Sequence, residues 1–203
     1  MQKNFAQTDY AATARQAAAE GAVLLRNHRH ALPLEKGCCV AVFGRNQLHY
    51  YRCGIGSGGM VNSAYVISIL DALKADSDIV LNQAVLSAYE AWHETHPLEG
   101  CNEWGEEPWS QAEMPLPEAL VQQAAKTSDA ALICIGRTAG EDHDSSAAPG
   151  SFLLTEEEEN TICLVCRYFP RSIVVLNTAG IIDMSWVKRC NPAAILYVWH
   201  GGQ

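Results

Sequence analysis

Residues Ala130 to Asp144 read A-A-L-I-C-I-G-R-T-A-G-E-D-H-D, a short apolar run that empties into glycines and carboxylates. In open α/β sheets, ligands bind beyond the carboxyl ends of the strands, and loops held there by a rigid scaffold carry the chemistry. Arg137, Glu141, His143 and Asp144 are charged or proton-handling groups that follow such a strand directly. The same string is also an ordinary solvated turn, because Gly and Asp are favoured there for conformational and hydrogen-bonding reasons. Taken alone, the stretch fits the turn better.

A second chemical candidate is Gly54-Ile55-Gly56-Ser57-Gly58-Gly59, which formally satisfies G-x-G-x-x-G. That fingerprint puts its first glycine in the turn immediately after a strand. Here Gly44 ends the strand, nine residues intervene before Gly54, and Asp76 precedes the next strand instead of ending it. A loop whose backbone amides approach a neutral ligand or a neighbouring domain fits better. Trp104 and Trp109 can stack on sugar rings, or pin an irregular loop to the core or to a partner domain, and the partner domain is preferred because rings in so apolar a loop need burial. The glutamates Glu156 to Glu159 open a helix, where carboxylates favour the macrodipole, and are not read as a metal site. The seven histidines show no ligand spacing, and neither metal nor cofactor is expected.

The elements that must position these loops alternate between strand and helix. Tyr10 to Arg26 is alanine-rich, with apolar residues at helical spacing, and reads as a helix. Strands are expected at Cys38 to Phe43, Ile79 to Leu81, the run before Gly136, Ser172 to Leu176 and Ala193 to Val198, with Ile181 to Lys188 ambiguous. Helices are expected at Val61 to Lys74, Gln83 to His93, Leu116 to Lys126, and from the Thr155/Glu158 capping box to Phe169. The strands are nearly continuous in apolar character, as strands buried on both faces are. The pattern predicts a single α/β domain over residues 1–203: a doubly wound, mostly parallel six-stranded sheet with helices on both faces. Residues 97–117, with four prolines and five glutamates, form an irregular excursion.

Composition narrows the function classes. At 203 residues, 48% apolar and 18% charged, the chain is globular and long enough for one well-buried domain. A net charge of −9 argues against a nucleic-acid surface, which needs clustered Lys and Arg. No apolar run approaches a membrane span, and no secretory leader is expected. Cys38, Cys39 and Cys134 fall in apolar strand-like runs, and Cys163 and Cys166 lie one helical turn apart. Packing as free thiols, in a reducing cytoplasm, is the expectation. The chain stops at Gly201-Gly202-Gln203 directly after a strand, which reads as a piece of something longer.

Together these segments resemble the α/β-sandwich domain of glycoside hydrolase family 3, which includes β-glucosidases and β-xylosidases. Ala18 to Asn27 followed by Leu32-Pro33-Leu34 is similar to the family's opening helix and loop, and Val40 to Arg45 with Gly54 to Gly58 to its first strand and glycine loop. Ile135 to Asp144 is similar to its second loop, and Val174 to Trp186 and Ile195 to Gln203 to its closing strands. The resemblance covers almost the whole chain in order, and it moves Glu141 from turn residue to expected catalyst.

The resemblance implies retaining hydrolysis through two carboxyl groups. A nucleophilic Asp comes from a separate (β/α)8 barrel, and the general acid/base stands at Glu141, roughly 5–5.5 Å from it. That acid has to be protonated near neutral pH. Asp142 and Asp144 as like charges, and desolvation under a docked barrel, push its pKa upward, Arg137 and His143 offset this, and the residues leave the sum open. Asp144, Arg137, His143, Gly56, Ser57 and Gly58 are expected to line the cleft for a small carbohydrate. The family's Asp at Asp144 often precedes Arg, where Ser145 stands here. No stretch matches the nucleophile motif, so the implied partner is the barrel, in the same full-length chain. A start at Met1 favours a swapped order with the barrel downstream. The alternative is a non-catalytic scaffolding domain of the same fold. A nucleotide-binding, flavodoxin-like domain would need donors immediately after the first strand.

Overall fold

A computed structural model describes residues 7–57, 59, 65–100, 106–141 and 143–202. The strands are β1 (Val23–Asn27), β2 (Cys38–Phe43), β3 (Ile79–Leu81), β4 (Ala130–Arg137), β5 (Ser172–Thr178) and β6 (Ala194–Tyr197). The helices are α1 (Gln7–Gly21), α2 (Ile69–Ala75), α3 (Gln83–Thr95), α4 (Glu118–Ala125), α5 (Glu156–Tyr168) and α6 (Trp186–Cys190). One six-stranded sheet runs β1-β6-β5-β4-β2-β3, parallel throughout except that β1 lies antiparallel on β6. The expected α/β architecture is present.

Three elements differ from the sequence reading. The first helix does not reach Arg26: α1 stops at Gly21, and Val23 to Asn27 become an edge strand. Glycine is a poor helix former, and Val-Leu-Leu pairs instead with the open side of β6, Val23 opposite Tyr197 and Asn27 opposite Ala194. Helix α2 begins only at Ile69, where Ser68 and Asp71 form a capping box; residues 61–64 lie outside the described residues. The ambiguous segment from Ile181 holds no strand, and α6 starts within it.

Alternation along the strands divides the core in two. Ala41, Phe43, Ala131, Ile133, Ile135, Val174 and Leu176 join one cluster with Tyr89, Val121, Ile162, Val165 and Trp186 from α3 to α6. Val40, Val42, Ala130, Leu132, Cys134, Ile173 and Val175 join the other, covered by Ile69 and Leu73 of α2 and by Leu32 and Leu34. Both faces are covered, unequally. Each fully buried Ile, Val or Phe contributes about 1.5–3 kcal/mol relative to exposure, which fixes the register of β2 and β4.

Cys163 of α5 and Cys190 of α6 form a disulfide, with Cα atoms 4.3 Å apart, which corrects the expectation of a packing thiol at Cys163. The partners are separated by 27 residues and meet only because α5 and α6 lie side by side. Disulfides persist in oxidising environments, so the cysteines no longer argue for a reducing cytoplasm. Glu159 lies near both sulfurs, yet these are bonded to each other and its carboxylate is held by Arg189 at 2.6 and 2.7 Å. Among the described residues no helix is long and apolar enough to cross a membrane.

The parallel strands follow the spatial order β3-β2-β4-β5-β6, so the winding reverses between β2 and β4. Connections leaving those two strands diverge and open a crevice at their carboxyl ends. The chain after β2 leads to Gly54, and the chain after β4 carries Glu141.

Candidate active site

Gly44 takes φ +89° as β2 ends, and a Cβ there would stand 2.2 Å from the Cys134 carbonyl oxygen. Only glycine can leave the strand so close to β4. The turn Arg45–Gln47 is buried. Gln47 Nε2 donates to Val42 O at 2.9 Å, and Arg45 N donates to Glu113 Oε2 at 2.8 Å. Farther on, Tyr51 N donates to Asn177 Oδ1 at 2.7 Å and Asn177 Nδ2 to Tyr51 O at 2.9 Å, which docks the segment on the end of β5. These pins carry an irregular stretch across the strand ends and deliver residues 54–57 beside the loop of β4.

The two loops are laced together. Ile55 N donates to Ala139 O at 2.7 Å, and Ile55 forms a bridge with Gly140. A Cβ on Gly54 would meet Ala139 O at 2.4 Å, and one on Gly140 would meet Ile55 Cγ1 at 2.2 Å. Gly56 adopts φ +81°, and its Cβ would come 2.8 Å from the Glu141 Cβ. Glu141 therefore lies against the glycine loop. Its side chain is exposed, and Oε2 accepts from Ser57 Oγ at 2.6 Å and from Ser57 N at 3.2 Å. Those hydrogen bonds, the hydroxyl's first and the amide's second, hold the carboxyl below the ordinary glutamate range. The sequence leaves the sum of the opposing effects on this carboxyl open, and here the Ser57 hydrogen bonds set it downward. A solvated carboxylate with two donors keeps its charge, and burial opposes it only weakly.

Arg137 takes a different place from the one expected. Its side chain is 3% exposed and pairs with Glu158 of α5, Nη1 to Oε1 and Nη2 to Oε2 both at 2.6 Å. Nε donates to Ser151 O at 2.9 Å, Nη1 to Gly136 O at 2.7 Å and Nη2 to Leu153 O at 3.2 Å. All five guanidinium donors are engaged beneath the Glu141 loop, which corrects its assignment to the sugar cleft. His143 stands against Trp109, with ring centroids 5.3 Å apart, and Thr138 N donates to Trp109 O at 3.0 Å. Trp109 thus pins the excursion to the loop that carries Glu141, within this chain rather than to a partner domain, while Trp104 lies outside the described residues, as do Gly58 and Asp142. Asp144 is exposed just past His143. Gly56, Ser57 and Glu141 come together, and Arg137 stays below them.

Sequence reasoning missed Glu113. Its buried carboxyl accepts from Arg45 N and Met114 N, both at 2.8 Å, and burial pushes its pKa up to about 7. It borders a small polar cavity shared with His49, Tyr51 and Glu158. No spacing marks this glutamate within the irregular stretch; only tertiary burial singles it out.

Residues 22–203 match the family model described as the Glycosyl hydrolase family 3 C-terminal domain. The chain belongs to this family. A Beta-glucosidase of Ruminococcus albus is 46% identical over 194 residues, covering 96% of this chain and 20% of its own length. Beta-glucosidase A of Butyrivibrio fibrisolvens is 31% identical over 92% of this chain and 25% of its own length. Among solved structures, a beta-glucosidase from Paenibacillus barengoltzii superposes with a TM-score of 0.92 at 43% identity, over 99% of this chain and 22% of that one. Beta-glucosidase 3B of Thermotoga neapolitana, in complex with glucose, gives 0.84 at 31% identity, over 97% and 28%. The family 3 domain seen here thus spans between a fifth and just over a quarter of these proteins, leaving room in each for a further domain.

Proposed function

We propose that this chain is the acid/base-bearing domain of a retaining β-glycosidase acting on β-glucosides or β-xylosides. Glu141 is the acid/base, and Gly56, Ser57, His143 and Asp144 border the sugar. The observation that carries the reading is the exposed Glu141 carboxyl held against the glycine loop at the switch point of the sheet. The relatives' names favour the β-glucoside.

The nucleophilic Asp belongs to a (β/α)8 barrel in the same full-length protein, closing over these loops to bring the two carboxyls to roughly 5–5.5 Å. Closure removes water from Glu141, and desolvation supplies the upward push that its solvated state lacks. In the first step Glu141 protonates the departing glycosidic oxygen while the Asp attacks the anomeric carbon. In the second it takes a proton from the water that releases the sugar. The 203-residue chain by itself is expected to show no turnover, because the nucleophile lies elsewhere.

Glu141→Gln in the full-length protein tests this. Cleavage of an alkyl β-glucoside should fall about 10²–10⁴-fold, the usual worth of a positioned proton donor, while an aryl glucoside with a good leaving group suffers less. Wild-type rates on both substrates would overturn the assignment.

A further inference from the structure

The geometry points to Ser57 as the positioning residue of the acid/base: it holds Glu141 Oε2 as a permanent acceptor, so that Oε1 is the oxygen that carries the proton. This rests on the acid/base reading of Glu141 and deepens it. Both hydrogen bonds from Ser57 converge on Oε2, from the hydroxyl at 2.6 Å and the amide at 3.2 Å. An amide can only donate, so a proton placed on Oε2 would face that N–H and forfeit a hydrogen bond. A proton on Oε1 leaves both bonds intact.

The contact is built by the backbone. Ile55 is bonded to Ala139, Gly140 sits against Ile55, and Gly56 at φ +81° admits the Glu141 side chain where any other residue would collide with it. Titratable neighbours along the two loops are Arg52 and Cys53 on one side and His143 and Asp144 on the other. None of these enters the causes of the lowered Glu141 pKa, which are the Ser57 hydroxyl and then the Ser57 amide, opposed by slight burial.

The chemical consequence has two sides. In the first step the Oε1–H bond breaks, the proton passes to the glycosidic oxygen and the electron pair stays on the carboxylate, which the Ser57 donors stabilise. In the second step Oε1 takes a proton from the attacking water, and the same donors make it a weaker base. Ser57 thus favours proton delivery over proton uptake.

The test is a pH titration of the Glu141 side-chain carboxyl carbon by NMR in this chain, with Glu141→Gln identifying the resonance. Ser57→Ala should move the midpoint upward, partially because the amide donor persists. Ser57→Thr, which keeps the hydroxyl, should leave it near the wild-type value. An unchanged midpoint in Ser57→Ala overturns the proposal, and a Thr variant displaced as far as Ala overturns the part given to the hydroxyl. The titration needs no turnover, so failure of the Glu141→Gln experiment in the full-length protein would remove the catalytic reading separately.

Discussion

Cutting the ion pair beneath the Glu141 loop should cost far more than an ordinary surface substitution. Arg137 and Glu158 are 3% and 5% exposed and share two contacts of 2.6 Å. Glu158→Gln leaves the guanidinium buried with carbonyl acceptors but no counter-charge. Removing one partner of a buried pair destabilises by about 3–5 kcal/mol, because the remaining charge has lost its compensation. In a domain of this size each kcal/mol moves the thermal midpoint by roughly 2–4 °C, so a fall of about 6–20 °C is expected. Arg137→Met should fall in the same range, since it strands the Glu158 carboxylate. The double variant Arg137→Met/Glu158→Leu leaves no unpaired charge and should lose less than the two single losses added together. Thermal and urea unfolding followed by circular dichroism at neutral pH measures all three. Midpoint changes below about 2 °C in both single variants would refute the anchoring role and reopen a cleft role for Arg137.

Three further outcomes follow from other parts of the fold. Bridging Cys163 and Cys190 across 27 residues restricts the unfolded chain by about 3.5 kcal/mol on the entropic account. The double Cys→Ser variant should therefore lose about 2–4 kcal/mol in urea and no longer respond to reductant; a wild type equally indifferent to reductant would contradict the bridge. Glu113 has a folded pKa of about 7 against an ordinary 4.5, so between those values the unfolded chain binds fewer protons than the folded one. Stability from this group is full below the lower value and declines as pH rises to the upper one, by up to about 3 kcal/mol. Glu113→Gln should flatten that slope in urea midpoints taken across pH, and an unaltered slope would count against it. Gly56→Ala places a side chain at φ +81° and 2.8 Å from the Glu141 Cβ. It should cost about 1–2 kcal/mol and displace the Glu141 amide resonance, whereas an unmoved resonance would mean that the two loops are not in contact.

What could be read without coordinates follows the range of each interaction. Strands β2, β4 and β5 announce themselves because burial on both faces demands an unbroken apolar run, and α5 because Thr155 and Glu158 cap it locally. Strand β1 does not, since Val23, Leu24 and Leu25 also satisfy helical spacing and their deciding partner is β6, at the far end of the chain. Glu158 is legible as a capping residue but not as the partner of Arg137, 21 residues away. Glu141 is indistinguishable from a turn residue until the family resemblance is added. The direction of its pKa could not be read at all, because the group that sets it is Ser57, separated from it by 84 residues.

Azide rescue of Glu141→Ala in the full-length protein tests the acid/base assignment most directly. With a retaining mechanism, the shortened side chain leaves space for a small anion beside the anomeric carbon of the covalent intermediate, and no carboxyl remains to activate water. The expected result is slow turnover of an activated aryl β-glucoside, accelerated by azide, with β-glucosyl azide as the product. Unimpaired hydrolysis without azide, or an impaired variant that azide neither accelerates nor traps, would contradict the role given to Glu141.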